Sequence, residues 1–195
     1  MIDSFQYSAL IQEIDAVHSL DQVKEIWQNE EFPSELLYSK RMLEMLEKIY
    51  PEASNNLRVA AQCQHMKRWM VARSLYSMDR RGYHQWRQAV MSHQLEVTKE
   101  LLIKHNVSDR DVDDLIEMLK NQGVSGYLNS QIIEDTACLV FLKWYSESFA
   151  KKHDTEKVID ILRKTYRKIS ETGRNTIPNI DLPANVNLLL QQALQ

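Results

Sequence analysis

The sequence predicts an all-α protein with a single helical domain of about seven to nine helices. The chain has only 4 glycines and 4 prolines among its 195 residues, which is too few turn residues for a fold of many short strands. Apolar residues recur three and four positions apart along most of the chain, and that spacing is the period of an α-helix. Serine or aspartate precedes several of these stretches, at the position where a helix N-cap is expected.

The first third of the chain predicts three helices. The first spans Phe5 to His18, and Ser19 can cap a second, short helix in which Val23, Ile26 and Trp27 repeat at helical spacing. A proline at position 33 interrupts the pattern, and a third helix then runs from Glu35 to Tyr50. The predicted buried stripe of this third helix consists of Leu36, Leu43, Leu46 and Ile49.

The middle of the chain predicts a fourth helix, a loop and a long fifth helix. The fourth helix spans about Ser54 to Trp69, and the loop spans Val71 to Met78. Asp79 is a suitable N-cap for the fifth helix, which continues to His105. The inward face of the fifth helix carries Trp86, Val90, His93, Val97 and Leu101.

The last part of the chain holds its most apolar segment. A capping pair at Ser108 and Asp111 begins one helix, and a loop with two glycines follows from Gly123 to Ser130. The apolar segment from Ile132 to Ala150 predicts the central helix, and a basic helix runs from Asp154 to Ser170. We therefore expect residues 1–32 to form an N-terminal helical extension, residues 34–170 the core, and residues 171–195 a tail with a short helix.

The sequence also predicts the cellular localisation of the protein. No stretch of about 18 uninterrupted apolar residues occurs, so no membrane span is expected. The N-terminal segment lacks the basic start of a signal peptide. Cys63 and Cys138 each lie in an apolar run, which favours buried, reduced thiols over a disulfide. These features predict a cytoplasmic protein, and they leave its oligomeric state open.

The stretch from Arg58 to Arg87 concentrates positive charge. It holds seven lysines and arginines against one acid, in a chain whose formal net charge is -3. Aromatic residues alternate with these bases, and guanidinium and indole groups together bind phosphates and stack on rings. The stretch predicts a site for a small anionic or phosphorylated ligand. Its predicted phosphate-binding residues are Arg68, Arg73, Arg80 and Arg87, and its predicted stacking residues are Tyr83 and Trp86.

Three polar residues are predicted to face inward from three different helices: His65, His93 and Asp135. Two imidazoles and a carboxylate are suitable ligands for a divalent transition metal such as Mn, Fe, Ni or Zn. A histidine beside an apolar stripe is, however, more often a hydrogen-bonded core residue than a ligand. Convergence of the three side chains within about 5 Å would distinguish the two interpretations.

Four segments carry a resemblance that covers nearly the whole chain. RVAAQCQHMKRW, SMDRRGYHQWR, IIEDTACLVFL and KHDTEKVIDILRKTYRKIS resemble the signatures of a family of uncharacterised proteins found in bacteria and fungi, domain of unknown function 4202. The resemblance implies a small all-helical protein and brings no established activity with it.

A more distant resemblance is to the HD-domain metal-dependent phosphohydrolases, and it implies an HD-like core. The run from Arg58 to His65 is similar to the helix before their His-Asp doublet, with Gln64 and His65 at the positions of the doublet. His93 resembles their later histidine, and Asp135 resembles their final aspartate. Residues 38–41 occupy the place of the early histidine without supplying one. A one-metal site on His65, His93 and Asp135, or a metal-free remnant that binds phosphate through the arginines, is left open.

Two function classes follow from these observations. The first is an HD-like metal-dependent hydrolase of a small phosphorylated molecule such as a nucleotide, with His65 and Asp135 as catalytic residues. The alternative is a non-catalytic anion-binding module that contacts RNA, a nucleotide or an acidic protein through the central basic stretch and the basic helix at 151–168. The net negative charge of the chain disfavours a broad nucleic-acid surface, and RNA is therefore the less favoured partner.

Overall fold

A computed structural model describes residues 1–120 and 127–195. The described residues form ten α-helices and one short hairpin, which confirms the all-α fold class. The helices are α1 (Ser4–His18), α2 (Ser34–Ile49), α3 (Asn55–Gln62), α4 (Arg80–Lys104), α5 (Asp109–Lys120), α6 (Leu128–Val140), α7 (Ser146–Lys152), α8 (Thr155–Lys168), α9 (Glu171–Thr176) and α10 (Ala184–Ala193). The strands are β1 (Lys24–Trp27) and β2 (Glu30–Pro33).

The predicted central helix is confirmed, and it is longer than expected. α6 continues through a π-helical turn, Phe141–Tyr145, directly into α7. α6 packs against α2, α3, α5 and α8, so most of its side chains are buried. Residues 128–130 belong to this helix rather than to the predicted Gly123–Ser130 loop, and residues 123–126 of that loop lie outside the described residues.

The short helix predicted after Ser19 is wrong, because this segment forms the first strand of an antiparallel hairpin. Trp27 lies opposite Glu30 in the hairpin register. Gln28 and Asn29 form its two-residue loop with φ values of 53° and 67°, the left-handed backbone that tight hairpin turns require. The Trp27 and Phe32 rings meet edge to face at 5.9 Å, which is a stabilising contact between paired strands.

The fourth helix ends earlier than predicted. α3 begins at the Ser54 cap as expected but stops at Gln62. Beyond it, His65 and Lys67 adopt left-handed backbone with φ values of 63° and 47°, which an α-helix cannot contain. Met66 is nevertheless fully buried in the hydrophobic core, so the chain packs there in a non-helical conformation. The predicted loop at 71–78 contains one short 3-10 turn, Arg73–Leu75.

The long helix predicted from Asp79 to His105 is confirmed as α4. The Asp79 carboxylate accepts a hydrogen bond from the Gly82 amide at 2.7 Å and caps the helix start.

The buried stripe predicted for α2 is only partly right, because α2 packs against both α3 and α6 and therefore buries two faces. Of the four predicted residues only Leu46 is fully buried, and the others buried on α2 are Leu37, Ser39, Arg41, Met42 and Met45.

One hydrophobic cluster joins these helices, from Ile2 near the start of the chain to Ala193 in α10. Cys63 and Cys138 are buried free thiols, as predicted. Within residues 1–120 and 127–195, no helix combines the length and the apolar character that crossing a membrane requires.

Candidate functional site

A cavity of about 690 Å³ opens between five parts of the chain: α2, the turn after α3, α4, α6 with its π-helical turn, and α8. Such a volume suits a small organic molecule. The residues that line the cavity from each helix are three or four positions apart, so they lie on one face of that helix. On α4 that face holds Tyr83, Arg87, Val90, Met91 and Gln94, and on α8 it holds Ile161, Lys164, Thr165 and Lys168.

His65 lies at the cavity wall between a carboxylate and a guanidinium. Its Nδ1 is 2.9 Å from Oε2 of Glu35, and its Nε2 is 3.0 Å from Nη1 of Arg68. A guanidinium can only donate, so Nε2 accepts and the Nδ1 hydrogen points at Glu35. The ring also stacks on Tyr38, with centroids 4.1 Å apart and planes inclined by 13°. Both tautomer and ring orientation of His65 are therefore fixed.

The electrostatics of this pair favour a neutral imidazole beside an ionised carboxylate. Burial lowers the pKa of His65, and the positive charges of Arg68 and Arg87 act in the same direction, against the hydrogen bond with Glu35. Burial alone would raise the pKa of Glu35, but its hydrogen bond and charge interaction with His65, together with Arg68, hold that pKa below its usual value. The left-handed backbone of His65 adds strain, which is typical of functional positions.

Two arginines flank the indole of Trp86. The guanidinium carbon of Arg68 lies 5.2 Å from the ring centroid and that of Arg73 lies 5.9 Å away. Trp86 itself is anchored by a 2.9 Å hydrogen bond from Nε1 to the carbonyl of Val71. This cation–π arrangement connects the segment after α3 to α4 and positions Arg68 at the cavity.

The opposite wall is also basic. Lys164 and Lys168 line the cavity from α8; Lys164 pairs with Asp160 at 2.6 Å, and Lys168 pairs with Glu134 of α6 at 2.8 Å. Arg87 lines the cavity from α4. Burial alone would lower the pKa of Lys168, but its hydrogen bond and charge interaction with Glu134 raise that pKa. In total, four side chains with permanent positive charge and two carboxylates surround the cavity: Arg68, Arg87, Lys164 and Lys168, with Glu35 and Glu134.

The inner end of the cavity is aromatic. Phe141 and Tyr145 line it from the π-helical turn of the central helix, a rare helix type that often marks functional sites. The Tyr145 hydroxyl accepts a 2.8 Å hydrogen bond from the buried guanidinium of Arg41, which also pairs with Glu25 at 3.0 Å. Burial raises the pKa of Tyr145 to about 12 against the opposing charge of Arg41.

The structure brings four of the predicted site residues into this cavity: His65, Arg68, Tyr83 and Arg87. The other three basic or stacking candidates lie outside its lining. Arg73 donates to the carbonyl of Tyr76 at 3.1 Å, and Trp86 lies behind Arg68. Arg80 lines a separate, open depression at the start of α4.

The predicted metal ligands do not come together. His93 is on α4 but not on the cavity face, and its Nε2 is buried with no hydrogen-bond partner among the described residues. Asp135 is fully buried and binds Tyr50, Gln131 and Ser170. Throughout residues 1–120 and 127–195, no group of three His, Cys, Asp or Glu side chains is arranged to hold a metal ion. The described donors therefore do not fit the metal that the HD resemblance implies.

Sequence reasoning left out several cavity residues, among them Glu35 and Tyr145. A signal for two others was present: Lys164 and Lys168 stand four residues apart on the basic helix, on the same face as Ile161 and Thr165. That pattern identifies a face of α8 but not the helix opposite it. No local pattern marks Glu35 as the partner of a histidine thirty residues away.

Comparison with known proteins gives one match. The family model described as Domain of unknown function (DUF4202) matches residues 8–190. No curated protein and no solved structure matches the chain.

Proposed function

We propose that this chain, which belongs to the DUF4202 family, binds a small phosphorylated molecule, with nucleotides as the favoured class, in the cavity between α2, α4, α6 and α8. The observation that carries the proposal is the meeting of two basic segments far apart in sequence. Arg68 and Arg87 line the cavity from the segment after α3 and from α4, and Lys164 and Lys168 line it from α8. Such a ring of cations suits the several oxygens of a phosphoryl group.

The rest of the lining supports a ligand with a flat apolar part. Tyr83, Met91 and Phe141 line the same cavity as the cations, and a base or other ring is stabilised by stacking on aromatic side chains. Glu134 and the amide groups of Gln64 and Gln94 add hydrogen-bonding capacity to the wall. A free inorganic anion would leave this apolar surface uncovered, which favours an organic phosphate.

Calorimetric titration with AMP, adenosine and inorganic phosphate tests the proposal. We expect AMP to bind more tightly than either fragment. Lys164→Ala should weaken AMP binding about tenfold, because a charge-assisted hydrogen bond contributes roughly 1.5–3 kcal/mol. Lys151→Ala is the matched control, since Lys151 also pairs with a carboxylate four residues away on an exposed helix face but is not part of the cavity.

Arg87→Ala and Arg81→Ala form a second matched pair on α4, because only Arg87 lines the cavity. Absence of AMP binding to the folded protein would refute the proposal. Equal losses in the Lys164 and Lys151 variants would show that the cavity is not the binding site.

Hydrolysis of a phosphate ester is the second candidate function, and the pairing of His65 with Glu35 favours it. A neutral imidazole held by a carboxylate is the usual arrangement of a general base. Nε2 of His65 would take a proton from water while the water oxygen bonds to phosphorus. The bond from phosphorus to the leaving oxygen then breaks, and the imidazolium returns the proton to that oxygen.

Phosphate release from AMP and from p-nitrophenyl phosphate measures this second function. Replacing His65 with asparagine should lower the rate by a factor of about 100 or more, the usual size of general-base catalysis. Asparagine is chosen because it tolerates the left-handed backbone at this position. A wild-type protein that binds AMP and releases no phosphate would rule out hydrolysis of this substrate and leave the binding proposal intact.

A further inference from the structure

The guanidinium of Arg68 covers Nε2 of His65, the nitrogen that the Glu35 carboxylate does not hold. The Arg68 contact is 3.0 Å and the Glu35 contact is 2.9 Å, so both ring nitrogens are occupied. In this arrangement His65 can neither bind a ligand nor exchange a proton at Nε2. Something must displace Arg68 before the imidazole can act on a molecule in the cavity.

Arg68 is well placed to be displaced. It lines the cavity, it is only partly buried, and among the described residues it makes no ion pair with a carboxylate. Its position over Trp86 leaves the N–H groups at the edge of the guanidinium plane available. A phosphoryl oxygen is a stronger acceptor for these groups than a neutral imidazole nitrogen, because both partners are then charged.

We propose that a bound phosphoryl or sulfuryl group replaces Nε2 of His65 as the acceptor of the Arg68 hydrogen bond. Nε2 of His65 then takes up one proton and becomes a second hydrogen-bond donor to the ligand. This inference rests on the proposed function, because it requires an anion in the cavity. It makes ligand binding and proton uptake one coupled event. His65 would lie as an imidazolium between the Glu35 carboxylate and the bound anion, a state in which it donates a proton and does not act as the general base of the hydrolysis described above.

The charges around His65 determine the direction of this coupling. Glu35 favours the protonated ring, whereas burial, Arg68 and Arg87 disfavour it. Tyr38 of α2 stacks on the ring, and His18 of α1, whose pKa is lowered mainly by burial, is close enough to interact with His65. Across the cavity stand Glu134, Lys164 and Lys168.

A bound dianion neutralises the two arginines and adds negative charge, so the pKa of His65 is higher in the complex than in the free protein. The affinity therefore rises as the pH falls through the pKa of the complex, and it levels off below the pKa of the free protein. For one coupled proton the rise is at most about tenfold per pH unit. At pH values above both pKa values the affinity does not depend on His65.

Sulfate is the preferred probe, since it stays dianionic over the whole range in which histidine titrates, whereas phosphate does not. Long-range ¹H–¹⁵N NMR should report a neutral, hydrogen-bond-accepting Nε2 of His65 in the free protein and a protonated one after sulfate or AMP is added. Calorimetry in two buffers of different ionisation enthalpy should give an uptake approaching one proton per sulfate at a pH between the two pKa values.

His65→Asn should still bind sulfate through Arg68, Arg87 and the two lysines, but without proton uptake. His84→Asn is the control, because His84 is an exposed histidine of α4 outside this cavity, and its proton uptake should equal that of the wild type. If neither sulfate nor AMP binds, the proposed function fails. If they bind and Nε2 of wild-type His65 stays unprotonated, only this inference is overturned, and that measurement decides the question even if the variant does not fold.

Discussion

Two adjacent carboxylates of α6 have different surroundings. Glu134 lines the cavity and pairs with Lys168, whereas Asp135 points into the packing between helices. Oδ1 of Asp135 accepts from Gln131 and from the Ser170 amide, each at 2.8 Å, and Oδ2 accepts from the Tyr50 and Ser170 hydroxyls. All of its acceptor sites are thus used to connect α6 with the end of α2 and the start of α9. The geometry supports a structural role for Asp135.

Replacing Asp135 with asparagine should lower the free energy of unfolding by about 2–4 kcal/mol. The new amide brings two donors to a buried place where only donors surround it, so at least one hydrogen bond is lost and another group is left unsatisfied. Urea denaturation measures the loss, and Asp113→Asn, at an exposed position of α5, is the control with little expected effect. Unchanged stability together with abolished ligand binding would contradict the structural role and would show that Asp135 acts in ligand binding.

Among the elements, periodicity and capping predicted the features that depend on nearby residues, such as the starts of helices. The start of α4 followed from Asp79, and the start of α8 followed from Asp154, whose carboxylate accepts from the Lys157 amide at 2.8 Å. The hairpin at 24–33 was missed because its strands are only four residues each, too short for an alternating pattern to outweigh a helical one. The early end of α3 was missed because left-handed backbone at His65 depends on tertiary contacts.

The prediction of the site was also limited by features that depend on tertiary contacts. Of the basic stretch, Arg68 and Arg87 line the cavity, because charge density survives an error in helix boundaries. His93 has a buried Nε2 but lies off the cavity face of α4, which runs through Arg87 and Gln94. Which face meets which partner is decided by long-range packing, and the pairing of Glu35 with His65 depends on the same packing.

The π-helical turn is an element that the pattern of apolar residues did not indicate. Phe141 and Tyr145, the first and last residues of this turn, both line the cavity. Buried Arg41 holds the Tyr145 hydroxyl through a hydrogen bond. Turns of this kind are rare in helices and are frequent at functional sites.

At the scale of the whole molecule, basic residues from distant parts of the chain come together at the cavity. The chain carries a formal net charge of -3, yet Arg87 of α4 and Lys164 and Lys168 of α8 line the same cavity. A protein that holds a long nucleic acid needs an extended positive surface. A confined basic cavity in an acidic chain instead suits small anions, which is the reason for the ligand class proposed above.

Acidic residues away from the cavity also contribute to stability, and the buried Asp111 is the clearest case. Oδ1 accepts from Asn56 of α3 at 2.9 Å, and Oδ2 accepts from Ser108 at 2.6 Å and lies 3.0 Å from the Met1 amino group. Burial alone would raise the pKa of Asp111, but these three partners lower it to about 2. The carboxylate therefore links the start of the chain, α3 and α5.

Because the folded-state pKa of Asp111 is below its unfolded value, its stabilising effect is complete above the unfolded pKa of about 4 and is lost as the pH falls through about 2. The shift corresponds to roughly 2 kcal/mol at neutral pH. Asp111→Asn should remove that amount at pH 7 and little at pH 2, so the two stability curves converge in acid. Urea unfolding at several pH values measures the convergence, with Asp113→Asn as control. A constant difference in stability between wild type and Asp111→Asn at every pH would mean that Asp111 stabilises the fold by packing rather than by its charge.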